Sequence, residues 1–214
     1  MAVRNIPWRG LLQALALGLG LLVILATGAI LALSHGPGRW LVRSFVDGQE
    51  IGSIGQVQIE GLRGDLLSEF SIDRIVLTDT AGVWLEAESI VVRWQPLSLV
   101  NGPVRVDLLA TERVKVARRP DLPDRADQGS GSGVPEFILT EARIDQLDLA
   151  EGLAGPAARL QARGDMQLQG GAPGQASISI RRLDAPGDAI DGRLEIFADG
   201  RIDGHFTASG APGG

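Results

Sequence analysis

The run from Leu11 to Leu33 carries only two polar side chains, Gln13 and Thr27, and no charge. About 23 residues of helix are long enough to cross roughly 30 Å of hydrocarbon with some tilt. Trp8 and Trp40 flank the run, where amphipathic rings settle at the two headgroup zones. The sequence therefore predicts a transmembrane helix over 11–33, with 1–10 on the cytoplasmic side and the bulk of the chain exported. Arg4 and Arg9 precede the helix and Arg39 and Arg43 follow it, so charge adds little to that orientation. A cleaved secretory signal competes, because Ala32-Leu33-Ser34 offers small residues. Signal h-regions run to about 7–15 residues, shorter than this one, which favours an uncleaved anchor. Gly36-Pro37-Gly38 then breaks the chain. Trp40, Leu41, Phe45 and Val46 share one side of a short amphipathic helix over 36–50, which lies at the membrane surface or plugs the end of a β-structure.

From Gln56 the hydrophobic period changes to two. Val57 and Ile59 alternate with polar residues, as do Phe70 and Ile72. Ile75 and Leu77 continue after a one-residue phase slip, which predicts a bulge. Asp79-Thr80-Ala81-Gly82 is a turn signal, with Val83, Leu85 and Ala87 on the returning strand. Further strands pass through Ile90–Trp94, Val104–Leu108 and Val114–Val116. Short strands joined by tight turns predict an antiparallel meander, since parallel strands need long crossovers. Gly at 29 residues, against 5 Phe and no Tyr, suits many short strands and turns better than an aromatic core.

Residues 118–135 break the pattern: Pro120, Pro123 and Gly129-Ser130-Gly131-Ser132-Gly133 read as a flexible loop. That divides the β-region into 52–117 and 136–209. Beyond the loop Ile144-Asp145-Gln146-Leu147-Asp148-Leu149 repeats Ile72-Asp73-Arg74-Ile75-Val76-Leu77 as I-D-x-(I/L)-x-L. A third cycle runs through Ile178, Ile180 and Leu183, then Ile190, Leu194 and Ile196, and on to Ile202 and Phe206. Repeated strand–turn units predict a structure that grows by stacking. The tail 210–214, Gly-Ala-Pro-Gly-Gly, has the look of an interruption.

The formal net charge of −6 and the lack of a basic stripe argue against nucleic acid. With no cysteine there is no disulfide, thiolate ligand or thiol nucleophile. His35 and His205 lack partners at ligand spacing, and the aspartates fall at strand ends, where they favour turns. No catalytic, cofactor or metal site is expected.

The stretch from about Gly52 to Leu168 resembles the N-terminal region of the TamB family, the inner-membrane subunit of the translocation and assembly module, among the AsmA-like bridge-type lipid-transfer proteins. The carrying pieces are the basic N-terminus and anchor, then Ile59-Glu60-Gly61-Leu62-Arg63-Gly64, then Phe70-Ser71-Ile72. Leu77-Thr78-Asp79-Thr80-Ala81-Gly82-Val83-Trp84-Leu85, Val92-Arg93-Trp94-Gln95-Pro96 and Val116-Ala117-Arg118-Arg119-Pro120 follow in order. The resemblance implies a mostly β protein: an elongated, open, U-sectioned β-groove in the periplasm, hung from the inner membrane. It further implies phospholipid transfer and outer-membrane protein assembly, with an Omp85-class outer-membrane barrel as partner. TamB proteins are far longer, and the barrel-contacting segment has no counterpart in this sequence.

An open sheet with one apolar face would shelter acyl chains at about 25 cal/mol per Å². The candidate lining is Val57, Ile59, Ile75, Leu77, Val83, Leu85, Val104, Val106, Val114 and Val116. The alternative is a scaffold whose free sheet edge binds unfolded outer-membrane strands through backbone hydrogen bonds.

Overall fold

The computed structural model describes residues 56–96, 98, 102–120, 136–153, 155–168, 173–185, 187–197 and 202–210. The expected anchor over 11–33, the helix over 36–50, Trp8, Trp40, most of the 118–135 loop and the last four residues lie outside them. Among the described residues no helix is long and apolar enough to cross a membrane.

The period-two stretches form strands, and the protein is mostly β. β1 (Gln56–Glu60), β2 (Arg63–Gly64), β3 (Glu69–Asp79), β4 (Gly82–Gln95) and β5 (Val104–Val116) precede the loop. β6 (Phe137–Leu149), β7 (Ala158–Leu168), β8 (Gly174–Arg182), β9 (Ala189–Ile196) and β10 (Ile202–Ser209) follow it. All ten belong to one open sheet in the order β1-β3-β4-β5-β6-β7-β8-β9-β10, with β2 paired to β3. The segments 52–117 and 136–209 are thus parts of a single sheet. Nine strands spaced 4.7–4.9 Å apart extend it about 40 Å along the stacking direction.

The turn between β3 and β4 forms as its residues dictate. Asp79 Oδ1 accepts the Ala81 N–H at 2.8 Å, and Gly82 takes a φ of 107°, in the left-handed region where a Cβ is penalised.

One pairing departs from the expected meander. β5 and β6 run parallel, in constant register from Val104↔Phe137 to Val116↔Leu149. A parallel neighbour needs a connection of about a dozen residues or more. The 118–135 loop supplies that length, so it returns the chain to the level where β5 began. Every other adjacent pair is antiparallel.

The phase slip after Ile72 is also different in kind from a bulge. Buried positions shift from Ile72 to Ile75 in β3, from Ile90 to Ala87 in β4, from Thr111 to Val114 in β5 and from Ile144 to Leu147 in β6. Ile72↔Ile90, Ile90↔Thr111 and Thr111↔Ile144 are paired on one side of the slip. Ile75↔Ala87, Ala87↔Val114 and Val114↔Leu147 are paired on the other. β3 and β4 keep their register through it. Four strands therefore change phase together, and the two residues between, such as Asp73-Arg74 or Asp145-Gln146, are polar. Ser89 sits in this line with φ 54°, a strained conformation for a residue with a Cβ. The Thr111 hydroxyl donates to Glu88 O at 2.7 Å, which is why a polar residue stands in an otherwise apolar row.

Candidate functional site

Cross-strand pairing lines the buried side chains into rows perpendicular to the strands. One runs Val57–Leu77–Leu85–Val116–Leu149–Ala158. The next runs Ile59–Ile75–Ala87–Val114–Leu147–Leu160. Beyond the slip, Ile72–Ile90–Thr111–Ile144–Ala162–Ile180–Ile190 continues to β9. A further row is Trp94–Val106–Leu139–Met166–Ala176–Leu194. Thr111 is the buried polar residue within these rows. Such pairs meet at Cβ distances of about 4.5–5.5 Å, so each row is a continuous apolar strip.

Eight of the ten sequence-predicted lining residues are buried: Val57, Ile75, Leu77, Leu85, Val104, Val106, Val114 and Val116. Ile59 is half-buried and packs against them. Val83 does not join them; it is 50% exposed. Leu77 pairs with Leu85 but Thr78 pairs with Val83, leaving Trp84 as an extra residue. That bulge turns both Trp84 and Leu85 into the core cluster and Val83 out of it. Trp84 was absent from the sequence-based lining because strict alternation assigns it to the outer face. The strips also extend through Leu139, Ile144, Leu147, Leu160 and Ile180, whose alternation after the loop carries the same signal.

Ion pairs occupy the other face. Arg74 Nε donates to Glu86 Oε1 at 2.7 Å, Lys115 Nζ lies 3.5 Å from Glu86 Oε2, and Arg93 Nη2 lies 2.6 Å from Glu69 Oε2. The Arg74 hydrogen bond, aided by the charge of Lys115 and opposed by partial burial, holds the Glu86 carboxyl below its ordinary value. A depressed folded pKa stabilises the fold above the ordinary carboxylate range and loses that effect as pH falls through the folded value. Glu86→Gln is therefore expected to lower urea stability slightly at pH 7, and the gap to the parent chain should close toward about pH 3. A gap that persists at acid pH would assign the effect to packing instead.

A hollow of about 590 Å³ opens over β6–β10. Ser177 and Ser179 form part of its lining and alternate with buried Ala176, Ile178 and Ile180, so it lies on the face opposite the core. Its walls alternate in sign: Arg163↔Ser179↔Asp191 in one rung, Asp165↔Ser177↔Arg193 in the next. The Ser177 hydroxyl donates to Asp165. His205 pairs with Arg193 at the far side. Opposite charges in adjacent rungs favour neither an anion nor a cation. Among the described residues no group of three His, Cys, Asp or Glu side chains is placed to hold a metal.

The fold and its strips define a class: a single open β-sheet with one continuous apolar face and one charged face. Compared with known protein families, curated proteins and solved structures, the chain matches none of them.

Proposed function

We propose that this protein is an inner-membrane-anchored periplasmic β-groove of the TamB type, supporting outer-membrane biogenesis by carrying phospholipid. The observation that carries the reading is the run of uncharged apolar strips across the sheet from β1 toward β9. On this reading the line of concerted phase slips across four neighbouring strands would curl the sheet toward its apolar face into a trough. Acyl chains would reach the strips only once their side chains, buried in the structure, open to admit them, and would then be stabilised by about 0.8 kcal/mol per buried CH₂. Dispersion and hydrophobic contacts are non-directional, so a chain moves from one rung to the next without breaking a specific bond. A single charge in the path would stop it, and the strips hold none. The polar head stays in water at the open side. The Leu11–Leu33 run supplies the anchor, and an Omp85-class barrel remains the expected partner.

Photo-crosslinking from Leu85 or Val106 in cells tests this directly. Adducts to labelled phospholipid are the expected result, and adducts to protein alone would sink the lipid path.

A second reading, a scaffold for unfolded outer-membrane strands, has one specific observation behind it. β10 pairs with β9 in unshifted register over all eight residues, and its described side chains are exposed. Among the described strands it ends the sheet, and it carries Asp203 but no Lys, Pro or bulge of the kind that blunts an edge. Protein-only adducts in the same experiment would favour this reading.

A further inference from the structure

Charge and hydropathy along β10 read nearly the same in both directions. Ile202-Asp203-Gly204-His205-Phe206 is apolar, acidic, glycine, basic, apolar about Gly204. Among the described strands β10 ends the sheet, with β9 on one side only. From Asp203 to Ser209 every residue is exposed. The even-numbered residues continue the apolar face. The Phe206 ring, 36% exposed, lies against Gly192 and Gly204, where a Cβ would fall 2.5 and 2.7 Å from it. The odd-numbered residues continue the charged face in two rungs: His205 stands opposite Arg193, and Asp203 opposite Glu195. One rung therefore reaches the edge basic and the next acidic. Like charges directly opposite each other are unfavourable, and a strand that brings the opposite sign to each rung relieves both.

We propose that the β10 edge binds β10 of a second copy of this chain, antiparallel, with Gly204 on the two-fold axis. Directly opposed residues of an antiparallel pair share a face. This register sets Ile202 against Phe206 and Asp203 against His205, each contact occurring twice by symmetry. On the charged face, Arg193 and His205 of one copy then meet Asp203 and Glu195 of the other, a basic half-rung closed by an acidic one. Neighbouring registers that also keep apolar against apolar do worse. An axis at His205 sets that residue against itself and joins two basic half-rungs. An axis at Phe206 sets Asp203 against Ser209 and His205 against Thr207, so neither charge meets its complement. The opposite edge of the sheet is the poorer partner. β1 has only five residues, and the chain turns directly after it at Gly61, φ 70°. Pairing of β10 with that edge would also build an open fibre instead of a closed pair. Asp203 makes the edge selective, since it disfavours acidic strands that bare backbone groups would accept. The two sheets join into one with both apolar faces on the same side, whatever that face carries.

Sedimentation equilibrium of the full-length chain in detergent micelles, run as a concentration series, tests this. A short edge contact stands at the small end of specific interfaces, and a dimer with a Kd of roughly 50 μM is expected. Asp203→Lys sets a cation against His205 at both symmetry-related contacts and should weaken the dimer about tenfold, the equivalent of about 1.4 kcal/mol. Combining Asp203→Lys with His205→Asp exchanges the two charges and should restore the parent affinity. Glu112→Lys makes the same charge change on the exposed side of β5, away from the edge, and should leave the dimer unaltered. If Asp203→Lys is not obtained folded, His205→Asp, which faces acid with acid, should give the same loss. A dimer indifferent to these changes at β10, or a loss in the single variant that the double one does not recover, would overturn the proposal. A parent chain that stays monomeric at every concentration would also overturn it, and would leave the edge to unfolded client strands.

Discussion

Asp79→Ala is expected to destabilise the protein by about 2–4 kcal/mol in urea denaturation, more than any exposed ion pair could account for. The Asp79 side chain is 4% exposed. It accepts from Arg118 Nη1 at 2.8 Å and also from Nη2. Arg118 Nη2 in turn donates to Gly82 O at 2.6 Å. The carboxylate therefore ties the β3–β4 turn to the exit of β5, across two strand pairings. Removing one member of a buried pair typically costs about 3–5 kcal/mol, because the other charge is left in a poor dielectric. Arg118 is 30% exposed, so water recovers part of that, and the lower range follows. The Ala81 N–H also loses its acceptor. Glu69→Ala makes the control: Glu69 and Arg93 are 51% and 53% exposed, and the expected change is about 0–1 kcal/mol. Equal effects from the two substitutions would show that the buried pair has no special role.

Much of the sheet was legible in the sequence because alternation is a direct imprint of a half-buried strand. The match between Ile72–Leu77 and Ile144–Leu149 proved structural. Ile72 and Ile144 share one row, Ile75 and Leu147 the next, and Leu77 and Leu149 a third. That equivalence also contained the parallel step. β3 and β6 hold matching positions although two strands, β4 and β5, separate them, and an unbroken meander would have reversed one of the pair. The 118–135 loop was legible as a loop, yet its composition says nothing of where it returns the chain; only its length permits a crossover. The concerted slip was visible in β3 alone, and a single strand cannot distinguish a bulge from a bend shared by its neighbours. Thr111 escaped notice because a hydroxyl reads as outward-facing, while the carbonyl of Glu88 that satisfies it belongs to another strand.

The hairpin of β3 and β4 gives the sharpest test of which way the apolar face points. Leu77 has 0% exposure and Val83 has 50%, although strict alternation from the turn places both on one face. Leu77→Ala removes three carbons from a fully packed site and is expected to cost about 3–4 kcal/mol, part transfer energy and part cavity. Val83→Ala takes away area that is already half in water, and the expected change is within about 0.5 kcal/mol. The difference should appear in urea midpoints at unchanged m-value, since neither substitution alters the surface exposed on unfolding by much. The same pair separates the two ideas of how this corner is built. If the bulge did not turn Trp84 inward, Val83 would take the buried place beside Leu85, and its truncation would approach the cost at Leu77. A small effect at Val83 with a large one at Leu77 instead requires Trp84 to hold that position.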